Sequence, residues 1–292
     1  MHTFYAILVF IIIVILYSQL VFQLKKGDDL EIFETDFITN ADLNKSALLK
    51  QPFIFAFSNF DSSLKHVDIV NDYGSFDVTV KDKNDYYNDK PGNKSITLSL
   101  NAANALIATD PDAKFYSDSN SYFIEETGLK KYYQNLDKYL QPHFNVFSKY
   151  DVAFGAGSPL IYHTYERRYM YVASGSMRVK MCPWRSSKYI VINKDYAGYE
   201  FSSPLNVWSP QDVYINSYNK IKFLEFSVPA GSVLYVPPYW FYSCKYEDSN
   251  TYVHSFNYGS PMNLVANLGN LFNHYWLIFG PDSTTNKSES SL

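Results

Sequence analysis

Cysteine is nearly missing from this chain. Its 292 residues hold only Cys182 and Cys244. Two cysteines make no disulfide framework, and a domain of this size needs none. They also cannot furnish a four-ligand zinc site on their own. Charge is balanced, with 25 Lys and Arg against 29 Asp and Glu and a formal net charge of −4. That removes the electrostatic reason to expect nucleic acid as a partner. No G-x-S-x-G elbow, P-loop or dinucleotide-binding glycine pattern occurs. Past the first apolar run there are five histidines, His66, His143, His163, His254 and His274. None stands in H-x-H or H-x-x-x-H spacing, so no conventional metal motif is visible. No internal repeat is visible either.

What the chain has in quantity is aromatic. Its 27 Tyr and 22 Phe suit a β-rich core, because aromatics fit pleated, half-buried surfaces. It also has one long uncharged run, Phe4–Leu24, FYAILVFIIIVILYSQLVFQL. As a helix this spans about 30 Å of hydrocarbon. It is too long for a signal-peptide core, no small-residue cleavage site follows it, and apolar side chains cover every face. Residues 1–24 therefore read as a transmembrane anchor, with the lipid bilayer as partner through residues 4–24. Lys25 and Lys26 follow directly, and only His2 precedes. The positive-inside rule places the C-terminal part on the cytoplasmic side. N-K-S sequons stand at Asn44, Asn93 and Asn286 and matter only if that part is not cytoplasmic.

Residues 25–31 read as a polar linker. Beyond it, Thr39–Leu49 predicts a short helix capped by Thr39 or Asn40, and Gln51–Phe57 a strand. His66–Val70 predicts a short helix or turn, and Phe76–Val80 a strand. Lys81–Ser95, with Pro91-Gly92, reads as a loop. Ile96–Leu100 suits a strand and Ala102–Ala108 a helix. In Gly128–Leu140 the residues Leu129, Tyr132, Tyr133, Leu136 and Leu140 recur at helical spacing, and Pro142 stops the helix. From Asp151 the pattern becomes short strands and turns: Leu160–Tyr165, Tyr169–Ala173, Met177–Cys182, Tyr189–Ile192, Phe223–Val228, Val233–Val236 and Thr251–Phe256. That is the signature of a barrel or sandwich. Leu264–Phe279 is helical again, and the tail 281–292 is polar and reads as disordered. Asn263, Asn267, Asn270, Asn273 and His274 argue against this last helix spanning a bilayer.

The stretch Pro229–Tyr242, PAGSVLYVPPYWFY, is a Gly turn, a short apolar strand, a Pro-Pro corner and an aromatic cluster. It resembles the run by which the cupin-like JmjC branch of the Fe(II)/2-oxoglutarate oxygenases brings a metal-binding histidine into a double-stranded β-helix. Further stretches resemble that family: LLKQPFIF at 48–55, DPDAKFY at 110–116, FGAGSPLIYHTY at 154–165, YMYVASGSMRVKMCPW at 169–184, read as a hairpin turning at Gly175, and TYVHSFNY at 251–258. The resemblance implies a cupin (jelly-roll) barrel domain over 32–263, with its core about 151–260, behind one transmembrane helix. A C-terminal helix over 264–280 would pack on the barrel or form a dimer interface.

The resemblance also implies a facial triad of two His and one carboxylate on Fe(II). Counting back from Gly175 by the family's spacing places the ligand positions at Tyr162, Thr164 and Tyr242, and the cosubstrate-gripping lysine position at Met177. All four are replaced. A register slipped by one puts His163 first, with Glu166 near the carboxylate place and His254 as a substitute second histidine. His163 and Tyr162 cannot both face the interior, because side chains alternate along a strand. Arg167 and Arg168 read either as a solvated turn or as an anion-holding pair at the barrel mouth. Tyr239, Trp240 and Phe241 read as a filled core or as an aromatic pocket.

The expectation is a membrane-anchored, non-catalytic cupin/JmjC-like domain without metal or cofactor, acting as a structural or binding module with protein partners or self-association. The richness in Tyr, Phe, Asn, Ile and Lys is what an AT-rich genome favours, in a protist or a large DNA virus, and with the anchor it fits a membrane or minor structural protein of such a virus, set in the virion membrane. Two alternatives stand beside it. One is an Fe(II)- and 2-oxoglutarate-dependent hydroxylase with a rearranged site. The other is a metal-free cupin binding a small ligand or carbohydrate.

Overall fold

The computed structural model describes residues 2–37, 39–58, 66–88 and 95–280. Asn93, Asn286 and the tail 281–292 lie outside them. The chain opens with helix α1, His2–Leu24. It carries no charge, none of its apolar span is buried in the protein, and it is long and apolar enough to cross a membrane.

The C-terminal end of α1 is held by the domain that follows. Lys50 adopts a positive φ of 54°, and its Nζ donates to the carbonyls of Phe22, Gln23 and Lys25. These are carbonyls that a helix end leaves without partners. Gly27 passes so close that a Cβ there would lie 2.0 Å from the Lys50 carbonyl oxygen. Burial pulls the Lys50 amine down to about 8, against the opposing charge of Glu166. Residues 25–31, expected as a free linker, are therefore pinned: Gln51 also donates to Asp29 at 2.7 Å.

Strands β1 (Phe33–Glu34) and β2 (Phe53–Ala56) flank helix α2 (Asn40–Leu48), which is capped by the Thr39 hydroxyl. Next come α3 (His66–Tyr73), β3 (Asp77–Asp82), α4 (Lys83–Tyr87) and β4 (Ser95–Ser99). The Asp82 side chain caps α4, so the expected loop from Lys81 holds a helical turn. There follow α5 (Leu100–Ala108), β5 (Phe115–Ser117), α6 (Ser121–Glu126), α7 (Lys130–Leu140) and β6 (Phe147–Gly155). The strand-rich part continues with β7 (Leu160–Tyr162), β8 (Arg167–Ser174), β9 (Ser176–Cys182), β10 (Asn193–Asp195) and β11 (Glu200–Ser203). It ends with α8 (Ile215–Tyr218), β12 (Leu224–Pro229), β13 (Ser232–Val236), β14 (Phe241–Tyr246) and β15 (Tyr252–Gly259). Two last helices are α9 (Pro261–Ala266) and α10 (Leu268–Phe279). The expected single helix breaks at Asn267, whose side chain donates to the Thr164 and Asn263 carbonyls instead. Tyr189–Ile192, expected as a strand, closes a 3-10 turn over Trp184–Tyr189.

The strands form two sheets. One has the order β1-β2-β13-β8-β15-β6-β5-β3-β4, the other β10-β11-β7-β14-β9-β12. The expected hairpin at Gly175 is not one: β8 and β9 belong to different sheets, and the turn carries the chain from one to the other. Gly175 holds a φ of 70°, and a Cβ there would lie 2.2 Å from Thr251 Oγ1.

Alternation along the strands builds three layers of packing. On β6, β8 and β15 one phase supplies Tyr150, Val152, Phe154, Tyr169, Tyr171, Tyr252, Phe256 and Tyr258, which α2, α5, α6 and α7 cover. The other phase supplies Ala153, Met170, Val172 and Val253. These meet Met177, Val179, Met181, Tyr242 and Cys244 of the second sheet. The outer face of that second sheet, with Leu160, Tyr162, Cys182, Phe201 and Phe241, is covered by Trp184, Tyr189 and their neighbours. Each fully buried large side chain contributes roughly 1.5–3 kcal/mol.

Candidate functional site

The space between the sheets is apolar at one end and polar at the other. The inward phase of β6 runs Ala153, Asp151, Lys149. That of β8 runs Val172, Met170, Arg168, and that of β15 runs Val253, Ser255, Asn257. The same alternation that buries valine at one end thus brings Asp151, Arg168 and Asn257 together at the other. Opposite them stand Tyr242 of β14 and His163, which follows β7. Beside them lies a cavity of about 70 Å³ whose lining includes Asp118, Asp151, His163, Arg168, Glu200 and Asn257. That is room for several waters or one small ligand.

Arg168 dominates this cavity. It is half-buried, its Nε is shut off from solvent, and its guanidinium makes no hydrogen bond or ion pair with a described residue. It stacks over the Tyr242 ring at 5.5 Å. Burial disfavours its charge, but Tyr242 and Asp151 outweigh that and hold its pKa above the usual value. Asp151 is occupied elsewhere: it accepts from the backbone N–H groups of Ser119 at 3.0 Å and Asn120 at 2.6 Å. Burial raises its pKa, with Asp118 adding to the effect.

The cavity wall is braced by a second buried cation. Lys81 pairs with Asp118 and Glu200, each at 2.7 Å. Burial works against its charge, and the two carboxylates overcome that and keep it well above the usual lysine value. Glu200 pairs through Oε2, while its Oε1 is buried without a hydrogen-bond partner among the described residues.

His163 is buried and donates from Nε2 to the Val236 carbonyl at 3.0 Å. Its Nδ1 makes no hydrogen bond of ordinary geometry with a described residue. Burial, and then the Arg168 charge, drive its pKa well below the usual value, so the ring is neutral. The Tyr242 hydroxyl is likewise buried without a partner, and the two rings meet edge to face at 6.3 Å.

Tyr162 and Thr164, ligand positions taken from the resemblance, both border the cavity, each with its side chain engaged elsewhere. The Tyr162 ring lies on the outer face of its sheet, stacked on Phe201 at 5.0 Å, while its neighbour Ile161 packs inward. The Thr164 hydroxyl pairs with the Tyr199 hydroxyl at 3.2 Å, and its carbonyl holds Asn263 and Asn267. Tyr242 does face inward. Met177 does too, but it is fully buried in the apolar end. The slipped set does not assemble. His254 takes the outward phase of β15 and bonds the Tyr133 hydroxyl of α7, Glu166 lies near Lys50, and only His163 borders the cavity. Tyr239 and Phe241 point outward while Trp240 and Tyr242 point inward, so the aromatic run is split between two layers and forms no single pocket. Arg167 and Arg168 belong to β8, not to a solvated turn, and Arg167 is buried against Asn44.

Fe(II) does not fit this donor set. Among the described residues no three His, Cys, Asp or Glu side chains stand close enough together to hold a metal ion. The inward-facing donors, His163 and Asp151, share the cavity with a guanidinium that would repel a dication.

Asp151, Asn257, Lys81, Asp118 and Glu200 escaped the sequence reading. Only Asp151 left a trace, as a charge beside the apolar run Val152–Phe154 of β6. A groove of about 420 Å³ adjoins the cavity, sharing Lys149, Thr164 and Tyr199 with it and bounded by Phe147, Leu271 and His274. No protein-family model matches the chain, and no curated protein matches it.

Proposed function

We propose that this chain is a membrane-anchored jelly-roll module that binds a small oxyanion, a carboxylate in the first instance, without metal chemistry. The helix α1 is the anchor. The strand orders β13-β8-β15-β6 and β7-β14-β9-β12, with the chain changing sheet between β6, β7, β8 and β9 and again between β12, β13, β14 and β15, support a double-stranded β-helix core. The observation that carries the ligand reading is Arg168: a guanidinium without an ion-pair partner, facing a cavity. Leaving such a group unpaired is costly, and a bidentate carboxylate matches its geometry. Lys149, Thr164 and Tyr199 line the same cavity, and their ammonium and hydroxyl groups supply the remaining donors.

The test is thermal denaturation of the full chain in lipid nanodiscs with acetate, succinate, 2-oxoglutarate or inorganic phosphate. A bound anion at a hundredfold its Kd adds about 2.7 kcal/mol. We expect at least one anion to raise the Tm of the native chain and to leave Arg168→Met unmoved. No response to any anion, or an equal response in the variant, overturns the reading. So does stoichiometric iron that His163→Ala removes.

A further inference from the structure

Two features stand near the exit of α1. The first is helix α10. Its Leu268, Phe272, Tyr275, Trp276 and Phe279 recur at helical spacing on one face. Phe272 is 62% exposed, Trp276 52% and Phe279 76%. The adjoining side, with Leu271, His274 and the edge of Tyr275, lines the groove beside the cavity. The second is a recess lined by Arg185, Lys188, Lys220, Lys222, Ser186 and Tyr189, with no acid among its lining residues.

Both are joined to the root of α1. Lys26 lies over the Trp184 ring at 3.8 Å and the Tyr239 ring at 5.2 Å. Asp28 accepts from the backbone N–H of Arg185 at 3.4 Å. Tyr239 in turn donates to Asn267, the residue that starts α10, at 3.2 Å. Helix α9 packs against both α1 and α10.

From this juxtaposition we infer that the domain rests on the bilayer that holds α1. Helix α10 is sunk by its aromatic stripe into the interface, and the Arg185–Lys188–Lys220–Lys222 recess sits on anionic headgroups. Trp, Tyr and apolar residues on one helix face suit the headgroup boundary. Clustered lysine and arginine beside a span suit an anionic leaflet. The asparagines that keep α10 from spanning are compatible with a helix lying flat. The inference rests on α1 being the membrane span, and adds to it a second, reversible contact.

The experiment uses the full chain with Leu268→Cys, on the stripe and 63% exposed, carrying an environment-sensitive dye. The native cysteines are buried and stay unlabelled. The chain is reconstituted into phosphatidylcholine vesicles with and without 30% phosphatidylserine, and flotation is scored first. In floated vesicles containing phosphatidylserine, we expect quenching by shallow spin-labelled lipid and protection from aqueous iodide. Protection should fall at least twofold in phosphatidylcholine alone and in the Lys188→Glu/Lys220→Glu/Lys222→Glu chain. Floated protein whose dye is open to iodide and untouched by the spin-labelled lipid overturns the inference while leaving the anchor standing. Protection that ignores both phosphatidylserine and the charge reversals overturns the headgroup part. Protein that fails to float overturns the anchor reading and this inference with it. A Lys→Gln triple variant guards against misfolding: it should lie between the native chain and the reversal.

Discussion

The guanidinium of Arg168 lies 5.5 Å from the centre of the Tyr242 ring, and a cation–π contact is its main compensation for leaving water. Such a contact is worth about 2 kcal/mol when desolvated, less than a hydrogen-bonded ion pair inside a protein. Replacing the cation with an apolar chain of similar length removes the mismatch. Arg168→Met is expected to stabilise the ligand-free chain by about 1–3 kcal/mol, raising Tm by several degrees. Denaturation in anion-free buffer checks this, and a lower Tm would mean that the cation braces the fold.

His163 makes stability depend on pH. Its pKa in the fold is pushed well below the usual value, by burial first and then by Arg168. Below about 6.5 the unfolded chain takes up a proton that the folded chain refuses. Stability is therefore complete above that pH and is lost as pH falls, by about 1.4 kcal/mol per unit. Burial raises Asp137 and Asp151, which take up protons at a higher pH in the fold than in the unfolded chain and so act in the opposite sense at lower pH. The difference between native and His163→Gln chains between pH 6.5 and about 5 isolates the histidine. Parallel stability curves for the two chains would refute it.

Lys50 closes the end of α1. Lys50→Met leaves three carbonyls without their shared donor, at a cost of about 2 kcal/mol or more. Local opening at residues 25–30 then rises roughly tenfold or more. Trypsin should cut after Lys25 and Lys26 correspondingly faster in the variant, while cleavage within the β-sheets stays unchanged.

Gly175 lets the chain pass from β8 into the other sheet. Gly175→Ala meets both a positive φ and the Thr251 side chain, and is expected to cost about 1–3 kcal/mol. Equilibrium unfolding measures this. The pair Gly175→Ala/Thr251→Gly should recover part of the loss if the contact matters beyond the backbone conformation.

Much of the fold could be read from residues in local register. Helix α7 announced itself by Leu129, Tyr133, Leu136 and Leu140, all of which are buried, and β8, β9, β12 and β13 lie close to where alternation placed them. Strand β14 was missed because it is buried on both faces apart from Lys245, so alternation has no contrast to show. The site was harder. FGAGSPLIYHTY does not say whether Tyr162 or His163 faces in, because that depends on how β7 seats between β11 and β14. Arg168 was named in the sequence, yet its isolation comes from three chain segments over a hundred residues apart in all. Asp151 is held by Ser119 and Asn120, and Glu200 pairs with Lys81, so neither carboxylate forms an ion pair with the arginine.

The clasp of Lys50 on the carbonyls of α1 turns what would be a tether into a joint. A domain on a flexible leash samples a hemisphere of space and meets its ligands wherever they drift. Here Lys50, Asp28 and Gln51 fix the approach, so the cavity keeps one bearing relative to α1. Reach is exchanged for orientation. Force applied to the domain passes straight into α1.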